Sequence, residues 1–497
     1  MSSSVADLVA YLPGARLHAP AGAADPALTM LVDATHDSRA VGPDMLFCAM
    51  VGANADGHDH AADAVRAGST ALLVQRPLPH PVAQIVVPDT RAAAGPAAAL
   101  VHGEPTLELL VVGITGTNGK TTTSYLLEHA FAWAGLGTGV IGTIEARVHG
   151  EALKGVRTTP EGTDLQRLMR KMLDRGVDAV AMEASSHGLA MHRVDGIAFD
   201  AAVHLNLTQD HLDFHADMAE YAAAKERLFS LAPVGVICIE DQWSRRLAQR
   251  VTIPVVTFGR PQRCGAMRPD WALLDVVTGA DGTSFTMHAG DQDVRVHTQL
   301  VGDVNGVNAA AAWLAARAVG IDELSAAEGI AQCPGVPGRL ESVPNEAGMT
   351  VLVDYAHTAD AIGQAIRIVR GIAGSGRVLV VVGCGGGRDR AKRGPMGAAA
   401  ADADVAILTS DNPRSEDPES ILDEMVAGAL DASGPAQVLR EVDRETAIAL
   451  AISKARPGDL VLIAGKGHET GQEFAHATVP FDDREVAARL LRQGRDA

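Results

Sequence analysis

The stretch richest in chemistry is Gly113-Ile114-Thr115-Gly116-Thr117-Asn118-Gly119-Lys120-Thr121-Thr122. Its glycines let backbone N–H groups turn toward phosphate oxygens, and a helix starting behind it adds positive potential. Lys120 can bridge terminal phosphates, and the Thr121 hydroxyl can reach Mg²⁺. The strict GxxxxGK[ST] pattern fails at position 114, where Ile stands in place of Gly. The Gly-Lys-Thr triplet between an apolar run and a helical pattern still argues against a purely structural turn.

Other chemistry-bearing residues read more ambiguously. Glu183 ends the apolar run 177–183, where it is either a Mg²⁺ ligand facing the phosphate loop or a solvated strand-end charge. His187, His192, His204, His211 and His215 crowd the next stretch but form no HExxH pair, so most read as loop residues rather than zinc ligands. Lys225, in AEYAAAKERLF, reads unaided as a surface lysine with its stem on apolar neighbours. Arg339, after Pro337-Gly338, reads as a solvated turn residue, and Asp411-Asn412-Pro413-Arg414 as a turn.

These residues need elements to hold them. The chain has 497 residues, enough for about three domains. Aromatic residues make up only 3%, so cores must rest on Val, Leu, Ile and Ala. Short apolar runs alternate with helical patterns, which predicts an α/β protein with parallel sheets. In residues 1–104, 45–50 and 70–75 are expected strands around a helix at 58–68. Residues 105–334 hold the phosphate-loop strand and helix (107–135), a second buried strand (177–183), a helix at 219–232 and a strand at 235–240. An Ala-rich helix, 305–320, is expected to close this part. The Pro/Gly-rich 333–341 reads as a linker and hinge. Residues 335–497 carry four apolar runs, each ending in Gly or polar residues, where open parallel sheets collect ligands.

The net charge of −19 argues against a nucleic-acid or anionic-membrane binder. The five cysteines are scattered, without a CxxC pair, so neither a disulfide framework nor a structural zinc site is expected. No apolar run reaches the ~18 residues of a membrane span, and the start lacks a secretory pattern, so a cytoplasmic, monomeric protein is expected.

Eight motifs occur in order: TGTNGKTT (115–122), MEASSHGL (182–189), NLTQDHLDFH (206–215), YAAAKERLF (221–229), GVPGRLE (335–341), DYAHT (354–358), DNPR (411–414) and GKGHE (465–469). Together they resemble the ATP-dependent Mur ligases of peptidoglycan synthesis, from about Asp37 to Arg484. The resemblance implies a UDP-binding N-terminal domain, a P-loop ATPase domain and a Rossmann-like C-terminal domain. It implies ATP contacts at Gly116, Thr117, Asn118, Gly119, Lys120, Thr121, Thr122, Asn305, Arg339 and Asp354. It implies that Lys225 is carbamylated and holds Mg²⁺ together with Thr121, Glu183 and His211; with Lys120, these form the catalytic set. Ser38, Ala53, Asn54, Ala55, Thr158, Thr159, Ser185 and Arg193 match positions around the UDP-muramoyl dipeptide. Arg388, Asp411, Asn412, Pro413, Arg414, Gly465 and Glu469 match the amino-acid pocket, with Glu469 taking an ammonium group. Met191, Arg157, Gly387 and Gly394 depart from the family pattern, which more often has Gln, Asn, Asp and Pro there.

The same resemblance points to the branch that joins meso-diaminopimelate to a muramoyl dipeptide ending in D-glutamate. Lysine-adding relatives keep DNP but lack the Arg. Diaminopimelate differs from lysine by one distal carboxylate, and a guanidinium fork is the expected selector. The implied mechanism phosphorylates the glutamyl γ-carboxylate to an acyl phosphate, which the amine then attacks. The competing readings are a sibling ligase, a P-loop switch that forms no bond, and a nucleotide-sugar binding protein.

Overall fold

The computed structural model describes residues 3–52, 55–153, 158–212, 214–279, 281–387 and 389–493. Of the residues singled out above, Ala53, Asn54, Arg157 and Arg388 lie outside this set. The chain divides into two compact units. One comprises Met1–Asp275, Phe285–Val296 and Val307–Gln332; the other comprises Val276–Ser284, His297–Gly306 and Cys333–Ala497.

The first unit opens with a five-stranded sheet in the order Arg16–His18, Ala83–Val86, Ala71–Val74, Met45–Cys48, Asp33–Thr35. Its strands are parallel apart from Arg16–His18. The helix expected over 58–68 is a 3-10 turn, Gly57–His60, running into a shorter α-helix, Ala61–Arg66. Asp56 caps the turn by accepting from His58 N–H, which fixes the tighter start. Glu104, in the left-handed region at φ 51°, turns the chain out of this layer ahead of Pro105.

Next comes a large sheet built around Leu110–Thr115. Ala179–Glu183 pairs with it in parallel on one side, with Glu183 opposite Ile114, and Ala201–His204 on the other, with His204 opposite Thr115. All three strands are buried on both faces, as expected of parallel strands covered by helices. The register brings the ends of all three strands level with the start of the phosphate loop. Three strands, Trp271–Gly279, Gly282–Ala289 and Gln292–Thr298, extend this sheet where no strand was expected. Their residues mix buried with partly or fully exposed positions instead of running continuously apolar, as in a solvated meander. A helix, Glu323–Ala331, follows the Ala-rich helix Asp303–Ala318 and was likewise not foreseen. Gly329 lets it lie against the backbone of the phosphate-loop helix, since a Cβ there would sit 2.6 Å from the His129 carbonyl oxygen.

The second unit holds a six-stranded sheet in the order Glu341–Ser342, Thr350–Asp354, Leu460–Ala464, Val378–Cys384, Val405–Ser410, Gln437–Arg440. All pairs are parallel except the first. Val378–Cys384 is buried along its whole length, between two separate apolar cores. The four apolar runs are therefore strands, and their carboxyl ends carry the polar motifs.

Within the first unit, the N-terminal layer docks on the large sheet through glycine. A Cβ on Gly95, in the helix Thr90–Val101, would lie 2.1 Å from the Asp195 carbonyl oxygen, and one on Gly162 would lie 2.9 Å from Gly95 Cα. Arg167 ties the same surfaces, donating to Asp33 at 2.9 Å and to the Ala34 carbonyl at 2.7 Å. Gly95→Val is expected to destabilise this packing by about 1–3 kcal/mol, lowering the first thermal unfolding midpoint. An unchanged midpoint would contradict the close backbone approach.

Candidate active site

The phosphate loop is shaped by Gly116 (φ 151°) and Gly119 (φ 90°), backbone values that disfavour side-chain-bearing residues. A Cβ at Gly119 would also meet Asn308 Oδ1 at 2.3 Å. The run after Ala201–His204 braces the loop. Thr117 N–H donates to the Asn206 carbonyl (3.0 Å), Asn118 N–H to Asn206 Oδ1 (2.9 Å), and Thr208 N–H to Thr117 Oγ1 (3.0 Å). Thr121 and Thr122 open the helix Lys120–Trp133 and are buried.

Lys120 folds back over the loop and donates to the carbonyls of Gly116 and Thr117, both at 2.9 Å. Lys225 reaches the same Gly116 carbonyl at 2.8 Å. The unaided reading of Lys225 as a surface residue is overturned: its relative exposure is 1%. The reason is local. In the helix Met218–Glu226, capped by Asp217, Tyr221 and Lys225 lie one turn apart and both point inward. The ammonium sits 4.7 Å from the Tyr221 ring centroid. Burial, then the neighbouring Lys120 charge, hold Lys225 well below the ordinary lysine range, against a weaker pull from Asp210. Both effects push Lys225 toward the neutral amine, the form that reacts as a nucleophile.

Glu183 is fully buried, not a solvated strand end. One carboxylate oxygen accepts from Thr143 N–H and the other from Thr143 Oγ1, both at 2.9 Å. His211 adopts φ 53°, is partly exposed and packs edge-on against His187 at 4.9 Å between ring centroids. His204 and His215 are buried rather than loop-exposed. The described residues contain no cluster of three or more His, Cys, Asp or Glu side chains able to hold a metal. The oxygen donors that are present, Thr121 Oγ1 and the Glu183 carboxylate, nevertheless fit the hard-ligand preference of Mg²⁺.

Beside Glu183, Thr159 Oγ1 donates to the Glu183 carbonyl (3.1 Å) and lies 3.0 Å from Ser185 Oγ, which caps the short helix Ser186–Ala190. Arg193 donates to the Thr159 carbonyl (3.1 Å) and pairs with Glu161 at 2.7 Å. Thr158 directly precedes this cluster. In the N-terminal layer, Ser38 starts a 3-10 turn, and the Ala55 carbonyl accepts from Gly52 N–H at 2.8 Å. His36, two residues before Ser38, contacts Thr163 Oγ1 at 2.9 Å.

In the second unit, Asn305 is buried and donates to the Val301 carbonyl at 2.8 Å. Arg339 is not a solvated turn charge. Its guanidinium stacks over Tyr355, 4.9 Å from the ring centroid, while Asp354 accepts from Leu340 N–H and Ala356 N–H, both at 2.8 Å. Burial pushes the Asp354 carboxyl above its usual range.

Asp411-Asn412-Pro413-Arg414 follows the strand Val405–Ser410, and Gly465–Glu469 follows Leu460–Ala464. Gly465 (φ 116°) lets the two meet, since a Cβ there would lie 2.6 Å from Asp411 Oδ2. Asn412 donates to Glu469 at 2.9 Å, and Lys466, wholly buried, donates to Asn412 Oδ1 and Glu469, each at 3.1 Å. Arg414 donates to the Gly386 carbonyl at 2.9 Å and pairs with Glu473 at 2.7 Å. Beneath them, Arg444 and Asp483 form a fully buried pair at 2.6 Å, and Arg444 also donates to the Ala464 carbonyl at 3.0 Å. The sequence reading passed over Thr143, Tyr221, Arg444, Lys466, Glu473 and Asp483. Two of these stand inside quoted motifs, Tyr221 at the head of YAAAKERLF and Lys466 between the glycines of GKGHE.

Burial alone would raise the Glu469 carboxyl, but Lys466 and the Asn412 amide outweigh it and leave it below the usual carboxylate range. Its charge is therefore kept above that lowered value and lost as pH falls through it. If Glu469 receives an ammonium group, Lys466→Met removes the opposing charge and raises its pKa. The acid limb of the kcat/KM profile for the amino acid then moves to higher pH. Superimposable acid limbs would contradict this coupling.

Three family models cover most of the chain: "Mur ligase family, catalytic domain" over residues 34–103, "Mur ligase middle domain" over 114–316, and "Mur ligase, glutamate ligase domain" over 338–467. The chain is 45% identical to the UDP-N-acetylmuramoyl-L-alanyl-D-glutamate–2,6-diaminopimelate ligase of Streptomyces avermitilis, covering 98% of this chain and 97% of that one. It is also 45% identical to the ligase of the same name from Streptomyces coelicolor, covering 96% and 94%. A solved structure of a ligase of that name matches with a TM-score of 0.71 and 29% identity over 100% of both chains. The three-domain α/β architecture expected from the motifs is that of these proteins, and the chain belongs to the ATP-dependent Mur ligase family.

Proposed function

We propose that this protein uses ATP to join the D-glutamyl γ-carboxylate of UDP-N-acetylmuramoyl-L-alanyl-D-glutamate to an amino group of meso-diaminopimelate. Residues 1–104 hold the nucleotide-sugar end, 105–334 activate the carboxylate, and 335–497 select the amino acid. The observation that carries the reading is the assembly at the carboxyl ends of Val405–Ser410 and Leu460–Ala464, the two parallel strands that flank Val378–Cys384 in the second unit. Asn412, Lys466 and Glu469 form one polar cluster there, with Arg414 at the end of the same loop. A guanidinium and a carboxylate on one rim suit a zwitterion.

The γ-carboxylate attacks the γ-phosphorus of ATP, the bond to the bridging oxygen breaks, and acyl phosphate and ADP result. The neutral amine then adds to the acyl carbon, the tetrahedral intermediate loses phosphate, and the amine proton leaves to solvent. Lys120 leaves the loop carbonyls to meet charge on the transferred phosphoryl group, and the loop N–H groups orient it. Arg193 and Thr159 steady the dipeptide beside Glu183. Lys225, as a neutral amine, takes up CO₂ and releases a proton, becoming an anionic carbamate. Thr121, Glu183, His211 and carbamylated Lys225 would hold Mg²⁺, which when bound offsets phosphate charge. ATP and a UDP-linked substrate place the reaction in the cytoplasm, where we take the enzyme to act as a monomer. No helix among the described residues is long and apolar enough to cross a membrane.

The test is phosphate release from ATP in the presence of the muramoyl dipeptide, with diaminopimelate and lysine offered in parallel. Release is expected with diaminopimelate and to be markedly weaker with lysine, which brings no distal carboxylate for Arg414 to pair with. Equal release with both would overturn the choice of amino acid. Release without either would favour a switch-like NTPase.

A further inference from the structure

Arg414 already holds a carboxylate of its own chain. Its Nε lies 2.7 Å from Glu473 Oε2, and its Nη1 donates to the Gly386 carbonyl at 2.9 Å. The backbone sets this pairing. Arg414 N–H donates to the Glu473 carbonyl at 3.0 Å, Glu473 N–H donates to Asn412 Oδ1 at 2.9 Å, and Arg414 makes a parallel bridge with Phe474. Arg414 itself sits at φ 52°, outside ordinary strand or helix geometry, so the loop is turned to bring the guanidinium alongside Glu473.

A guanidinium grips a carboxylate bidentately through a planar edge. With Nη1 engaged by Gly386, the side-on edge containing Nε is the one left for a ligand, and Glu473 stands on it. The pair is exchangeable, because its side chains are 25% and 49% exposed, whereas those of Arg444 and Asp483 are both 0% exposed. Solvent-screened pairs contribute little and give way to a competing anion; a buried pair does not.

We propose that Glu473 is an intramolecular stand-in for the distal carboxylate of the amino-acid substrate, and so a specificity-determining residue. It keeps Arg414 in its binding orientation and gives up Nε when that carboxylate arrives. The proposal rests on the reading of Arg414 as the diaminopimelate selector. Lysine, with a cation and no carboxylate at its far end, has nothing with which to displace Glu473 and meets a neutralised fork.

Removing the competitor tightens the substrate. Glu473→Gln is expected to lower the KM for diaminopimelate about two- to fivefold, the range of a partly exposed ion pair, with the KM for ATP as internal reference. Glu473 is half-exposed and its loop is held by backbone bonds, so the variant folds; a thermal midpoint equal to the parent's checks this. Arg414→Lys, measured alongside, is expected to raise the KM for diaminopimelate. If it does, and Glu473→Gln leaves that KM unchanged or raises it, the stand-in is overturned while the selector reading survives. If Arg414→Lys leaves the KM unchanged, the selector reading fails and the stand-in fails with it.

Discussion

Two lysine side chains end on one carbonyl oxygen, that of Gly116, with Lys120 at 2.9 Å and Lys225 at 2.8 Å. Like charges do not share a buried acceptor at low cost. Lys120 is tied to the loop it must serve and has phosphate to meet once a nucleotide enters. Lys225 is enclosed by Tyr221 and the loop, and burial together with Lys120 drives it toward the neutral amine. The glycines of the loop, the brace from Asn206 and Thr208, and the placing of Glu183 opposite Ile114 all build the ground on which that pair stands. In the proposed mechanism the conflict resolves chemically. A carbamate converts the second amine into an anionic oxygen ligand, so the loop offers one positive and one negative group.

In the proposed function the second unit meets a different constraint, selection between zwitterions that differ at one end. Its answer is a layer of fixed charge beneath a layer of exchangeable charge. Arg444 and Asp483 are wholly buried and pin the Ala464 carbonyl, so the strand ends do not drift. Lys466 then fixes Asn412 and Glu469 relative to each other. Arg414, the outermost group, is held by Glu473, whose side chain is 49% exposed.

Much of this was legible in the sequence. The parallel-strand runs and the phosphate loop follow from apolar runs ending in Gly and polar residues, and the structure places strands at each. The order of eight motifs carried the family. The failures share a cause. Unaided, residue type puts Lys225 at the surface and leaves Glu183 between a metal ligand and a solvated strand end, because burial of a charge depends on partners far away in sequence, such as Gly116 and Thr143. Arg339 reads as solvated in the sequence because its stacking partner, Tyr355, belongs to another strand end. The strands between 271 and 298 were missed because a half-solvated meander lacks the continuous apolar signal of a parallel strand. Glu473 and Arg444 were invisible for the same reason as Lys225, since ion pairs leave no local pattern.

The proposed chemistry turns on what Lys225 becomes. With ¹³C-labelled bicarbonate supplied at neutral pH, the ¹³C NMR spectrum of the intact protein should contain a carbamate resonance that is absent from Lys225→Ala and fades when CO₂ is stripped away. A spectrum without that resonance in the parent protein, under conditions where it releases phosphate at full rate, would contradict the account.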